Sequence, residues 1–153
     1  VSNTDFTSIK ESIYDVHFLQ FYMSEVTGAV RLQLSNDSGS SFISSGYQFA
    51  LEFGRTSGTF GEDKTTSGAS ISDFGSGGSG LEKNVYVCLY NLGDSSKYSF
   101  ATNMMFNNHP SISYYMGYGC GVLPTAETHN ALRLDGVSGT MTGVAKLFGI
   151  KQL

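Results

Sequence analysis

The residues best suited to nucleophilic, acid–base or metal chemistry in this chain are three histidines, His17, His109 and His129, and two cysteines, Cys88 and Cys120. The histidines are scattered. None stands at HxH or HxxxH spacing, and none has a carboxylate at a useful offset, so the pattern predicts no converging metal site. His17 falls in a strand-like run, His109 and His129 in loop-like ones. Cys120, in GYGCGV, is a nucleophile only with a base within hydrogen-bond reach. His109 is near it in sequence but sits in the turn-like NNHPS, so a small packed side chain is the expectation. The cysteines either pair or stay free. Free thiols are expected, since nothing in the sequence marks an oxidising compartment. Serine motifs fail: GGSGL around Ser79 and GVSGT around Ser138 both lack the last glycine of a nucleophile elbow.

The carboxylates are no more suggestive. Asp94 and Asp135 stand in turn sequences, where Asp bonds its own backbone. Glu62 and Asp63 lie in a Gly/Ser/Thr-rich stretch, and no two carboxylates are placed to converge on a glycosidic bond. NDSG and GDSS fall short of a calcium ligand set. GSGGSG lacks the Lys-Ser/Thr and the helix of a phosphate-binding loop. No catalytic residue, metal or cofactor is therefore expected, and the chain reads as a structural and binding protein, not an enzyme. Its best recognition chemistry is aromatic. Tyr86, Tyr90, Tyr114, Tyr115 and Tyr118 are either ordinary sheet residues, which Tyr favours, or a sugar-stacking surface, which suits a ring with a polar tip. A ligand or partner surface, if present, is expected at Tyr114, Tyr115 and Tyr118 with Asn107 and Asn108.

The composition narrows the class. The 153 residues suit one domain, expected to span 1–153 and large enough to bury a core without staples. Only 14% are charged, against about 25% in an average soluble domain. Eleven Phe and nine Tyr argue against disorder, and sparse Lys and Glu argue against exposed helices. The net charge is −4 with no basic cluster, so nucleic acid is not an expected partner. No apolar run is long enough for a spanning helix, so no membrane insertion is expected. No signal-peptide pattern is visible. The start at Val1 is compatible with processing or with a piece of something longer.

Period-two alternation broken by Gly/Ser/Asn/Asp clusters sets the elements. Strands are predicted at Tyr14–Met23, Ala29–Ser35, Tyr47–Phe53, Asn84–Leu92, Lys97–Asn107, Ser111–Gly121, Ala131–Leu134 and Gly139–Gly149. Residues 54–80 read as a long surface excursion with one brief strand at Ala69–Phe74, and GSGGSG as a loop within the domain. The first strand is apolar on both faces, which predicts a central position or burial against a neighbouring subunit. His17, Leu19, Phe21 and Met23 are the candidate oligomer interface. The whole predicts an all-β, antiparallel two-sheet sandwich, jelly-roll-like, of about 8–10 strands.

The order of motifs resembles small β-sandwich surface proteins and domains of tailed bacteriophages. The motifs are YDVHFLQFYM, then RLQLSNDSGSSF with SSGYQF, then YVCLYNLGDSSKY, then SGTMTGVAKLFGIKQL. The resemblance runs from about Asp5 to Lys151, with Phe148 where the family usually has tyrosine. The resemblance implies a module on the virion surface, tending to a homotrimer. It implies a capsid decoration protein that cements the shell, or else a receptor-binding domain of a tail or head fibre that meets other virion proteins and a host surface glycan or protein.

Overall fold

The computed structural model describes residues 1–75, 82–109, 113–137 and 139–151; the side chains of Glu25, His109 and Ser113 are not described. Ser79, Ser138 and most of GSGGSG lie outside the described residues.

Eleven strands and no helix occur among the described residues. They are β1 (Asn3–Phe6), β2 (Val16–Val26), β3 (Ala29–Ser35), β4 (Tyr47–Arg55), β5 (Phe60–Gly68), β6 (Ser72–Asp73), β7 (Glu82–Tyr90), β8 (Ser99–His109), β9 (Ser113–Leu123), β10 (Ala131–Val137) and β11 (Met141–Ile150). The smaller sheet has the order β1-β10-β3-β6 and the larger β11-β2-β7-β8-β9-β4-β5, all pairs antiparallel. The chain passes between the sheets as β1, β2, β3, then β4 and β5, then β6, and again at β10 and β11. That alternation is a jelly roll in which the meander β7–β8–β9 enlarges one sheet and β11 adds an edge.

The core forms where alternate residues of the two sheets meet. Val30, Leu32 and Leu34 of β3 and Leu132 and Leu134 of β10 face Leu19 and Phe21 of β2 and Val85, Val87 and Leu89 of β7. Phe21 and Phe74 meet edge-on with centroids 5.2 Å apart. Tyr47 is fully buried, and its hydroxyl accepts the Leu34 amide at 2.9 Å, a bond between the sheets. Burial pushes this phenol's pKa upward. Gly121 of β9 has no side chain because a Cβ there would lie 1.7 Å from the Ile71 carbonyl oxygen.

Two expectations change. His17, Leu19, Phe21 and Met23 point into this core, so they are not a subunit interface. Strand β2 does lie inside its sheet, between β11 and β7, but the face it presents outward is Phe18, Gln20 and Tyr22. Within 54–80, β5 is a regular strand of nine residues paired along β4, where a surface excursion with one brief strand was expected. Its sequence, FGEDKTTSG, carries no apolar alternation because β5 is an edge strand with most positions in solvent. The brief strand expected at Ala69–Phe74 is β6, pinned to β3 by Arg31 Nε and Asp73 Oδ2 at 2.9 Å.

Candidate functional site

The outer face of the larger sheet stands out by its exposed apolar side chains. Its registers align them in rows across the strands. One row runs Phe148, Phe18, Cys88, Thr102, Cys120, Ala50, Lys64 from β11 to β5. The next runs Lys146, Gln20, Tyr86, Met104, Tyr118, Glu52, Glu62, and the third Val144, Tyr22, Asn84, Phe106, Met116, Gly54, Phe60. Phe148, Phe18 and Tyr86 form a ring cluster, with Phe18 stacked on Tyr86 at 6.1 Å and tilted to Phe148 at 6.2 Å. Isolated exposed apolar residues are ordinary; a contiguous band of them marks an interaction surface.

The face has two halves. Toward β11 it is aromatic and aliphatic. Toward β5 it hollows into a concavity of about 1010 Å³ bordered by β4, β5, β7, β8 and β9. Tyr118 is 59% and Tyr114 66% exposed on its floor and rim. The Tyr118 hydroxyl donates to Glu52 Oε2, which raises the phenol's pKa and fixes the ring. Phe60 lies across Gly54, where a Cβ would come within 3.1 Å of its ring. Glu62 accepts from Lys64 Nζ at 2.6 Å, and Glu82 accepts from Tyr22 at 3.5 Å.

All five residues expected at a ligand surface border this concavity, Asn107, Asn108, Tyr114, Tyr115 and Tyr118. They do not all present themselves alike. Asn108, Tyr114 and Tyr118 stand in the outward set. Asn107 is buried with its amide 3.4 Å from the Phe74 carbonyl, and Tyr115 is half-buried against Phe53 at 4.9 Å. Burial raises the Tyr115 phenol to about 12. Sequence reasoning missed the acidic wall. Glu62, read as part of an excursion, is the cross-strand partner of Glu52; only the strand character of β5 reveals it.

The histidines and cysteines are placed as follows. His17 bonds the Ile9 carbonyl through Nε2 at 2.9 Å, and burial lowers its pKa. His129 joins Ser99 Oγ to its Nδ1 at 2.8 Å and Glu127 Oε1 to its Nε2 at 3.3 Å. This Ser–His–Glu chain has the composition of a hydrolytic triad. Ser99 and His129 are each at 0% exposure, so no substrate carbonyl reaches the hydroxyl. Desolvation lowers the His129 pKa, and the group ties the loop before β10 to β8. Cys88 and Cys120 are free thiols on the outer face, separated by Thr102 of the intervening strand β8. No cluster of three or more His, Cys, Asp and Glu suited to a metal ion occurs among the described residues. Nor is any helix among them long and apolar enough to cross a membrane.

Lys83 is the most unusual group on the inner face. It is fully buried, and its ammonium donates to the carbonyls of Phe74 at 2.7 Å and Gly75 at 3.3 Å. Desolvation pulls its pKa down to about 8, opposed by the charge of Asp73. The two carbonyls take two of its three donors and make it a tie between β7 and the segment that follows β6.

The chain matches no protein-family model, no curated protein and no solved structure.

Proposed function

We propose that this chain is a non-enzymatic structural protein that assembles with copies of itself through the β11–β2–β7–β8 half of the outer face. We place it on the exterior of a tailed-phage virion, as a capsid decoration protein that strengthens the shell as a homotrimer. One observation carries the assembly reading: Phe148, Phe18, Tyr86, Tyr22, Val144 and Phe100 form a band of partly exposed large apolar side chains on one face. Four strands about 4.8 Å apart, over about eight residues of about 3.4 Å each, cover roughly 500 Å² in projection. Three such faces gathered about a threefold axis contribute about 1,500 Å² in all, about 500 Å² to each head-to-tail contact, so flanking surface must add to each to reach the roughly 1,000 Å² of a specific interface. The order of the sequence motifs supports the virion location. The inaccessible Ser99 and the solvent-facing carboxylates of the concavity support a non-enzymatic role.

Sedimentation velocity on the purified chain tests assembly. A trimer is expected, reduced to monomer in Phe18→Ser/Phe148→Ser, with circular dichroism unchanged. A wild-type chain that stays monomeric at high micromolar concentration refutes the reading. Immunogold labelling of intact particles tests location, with label expected over the head. A second reading, the receptor-binding domain of a tail or head fibre, is favoured by the concavity and predicts label at tail or fibre tips.

A further inference from the structure

We propose that the concavity of the outer face is a binding site for a neutral, hydroxyl-rich glycan chain. This deepens the fibre reading and rests on the concavity as a ligand site. It does not rest on self-assembly: the two regions share strands β7 and β8, but none of the six residues of the assembly band lines the concavity.

Three properties select the ligand. The first is the platform. Tyr118, Tyr114 and Phe60 expose ring area in one hollow, and the phenol–carboxylate bond holds Tyr118 in place before any ligand arrives. An amphipathic ring of this kind takes the C–H face of a pyranose while its surroundings stay wet.

The second is the hydrogen-bonding sense of the wall. Glu52, Glu62 and Glu82 contribute carboxylates, and Asn84 and Asn108 border the same hollow. An ionised carboxylate only accepts, with about four acceptor sites. Each of the three has a protein donor already, Tyr118, Lys64 and Tyr22 respectively. Acceptor capacity remains for the donors a sugar carries in abundance.

The third is charge. Three carboxylates border the hollow against one guanidinium, Arg55, which lies 5.4 Å from the Phe53 ring centroid. That balance repels phosphate, sulfate, uronate and sialate groups. Lys64 pairs with Glu62, which leaves a net charge near −1 around the hollow, too small to select a cationic ligand by charge. The volume, about 1010 Å³, stands at the top of the roughly 300–1,000 Å³ usual for small-ligand sites, which suits several sugar units. Cleavage is not part of the proposal. The Glu62 side chain is 64% exposed, and this open hollow is not the water-excluding cleft that acid–base hydrolysis requires.

Native affinity electrophoresis of the whole chain tests this. The gels are cast with the neutral polymers dextran, mannan, galactan, xylan and soluble β-glucan, or with alginate and polygalacturonate as acidic ones. Retardation by at least one neutral polymer and by neither acidic one is expected. Tyr118→Ala is expected to weaken it about tenfold or more, and Glu52→Gln to weaken it less. Both positions are exposed, so circular dichroism should match the wild type. Phe148→Ser should bind as the wild type does, which separates this site from the assembly face. No retardation by any neutral polymer overturns the proposal. So does binding that survives Tyr118→Ala, a preference for the acidic polymers, or release of reducing ends from the bound polymer.

Discussion

Strand β2 has two apolar faces with opposite fates. Its inner face, Leu19, Phe21 and Met23, is closed off by the smaller sheet, whereas its outer face, Phe18, Gln20 and Tyr22, is open. Alternation gives both faces equally and says nothing about which one turns inward. The neighbours reveal the difference. The inner rows of Leu19 and Phe21 continue into Val87 and Val85, which are aliphatic, with the buried polar groups His17 and Lys83 only in the flanking rows, opposite Leu89 and Met23. The outer rows continue into Tyr86, Asn84 and Cys88 and end among Glu and Lys. Aliphatic continuity across strands identifies the core; aromatic and polar residues mixed along a row identify a surface built to be covered part of the time.

The sharpest way to break this comparison is to truncate one residue on each side. Phe21→Ala removes a buried ring in contact with Phe74 and is expected to cost about 3–5 kcal/mol in urea denaturation. A cost as small as that of an outer-face change would mean that the inner face is not the core.

Lys83 tests the same inner face with a charge. Its folded pKa, about 8, lies below its ordinary 10.5, so the folded state disfavours the proton. Below pH 8 both states carry the charge and the folded one bears the whole desolvation cost; above 10.5 neither does. Stability is therefore expected to rise from pH 8 to 10.5, by on the order of 3 kcal/mol from this group. The check is the difference between wild-type and Lys83→Met denaturation curves across that range. A pH-independent difference would show that the carbonyls of Phe74 and Gly75 fully replace water.

Ser99→Ala orphans His129 Nδ1 in the interior and is expected to cost about 1–3 kcal/mol. Any ester hydrolysis that this variant abolished would contradict the buried, structural role given to the Ser–His–Glu chain. The smallest effect belongs to the outer face: Phe18→Ala, which removes two solvent-facing ring contacts, to Tyr86 and Phe148, should change monomer stability by only about 1 kcal/mol. Its larger effect should appear in sedimentation.

The sandwich was legible because most strands are written in alternation between Gly, Ser and Asx turns: Ala29–Ser35 and Tyr47–Phe53 fall inside observed strands, and Asn84–Leu92 overlaps β7, which ends two residues earlier at Tyr90. Strand β5 was not, since an edge strand wetted on most of its positions keeps no apolar period. At the site, the sequence picked out the tyrosines and asparagines around Asn107–Tyr118 by type. It could not show that Asn107 and Tyr115 turn inward while Tyr114 and Tyr118 turn outward, nor that Glu52 meets Glu62. Those facts depend on register between strands distant in sequence, which leaves little trace in local composition.

Strand β9 keeps its two duties on separate residues. Gly117, Gly119 and Gly121 serve the crowded inner side, where a side chain at Gly121 would collide with the Ile71 carbonyl. Met116, Tyr118 and Cys120 serve the open outer side. A change of specificity therefore needs no renegotiation with the fold: outward positions of this strand can be exchanged one at a time while the glycines stay fixed. Under the glycan-binding proposal, this strand is where recognition can diversify on an unchanged scaffold.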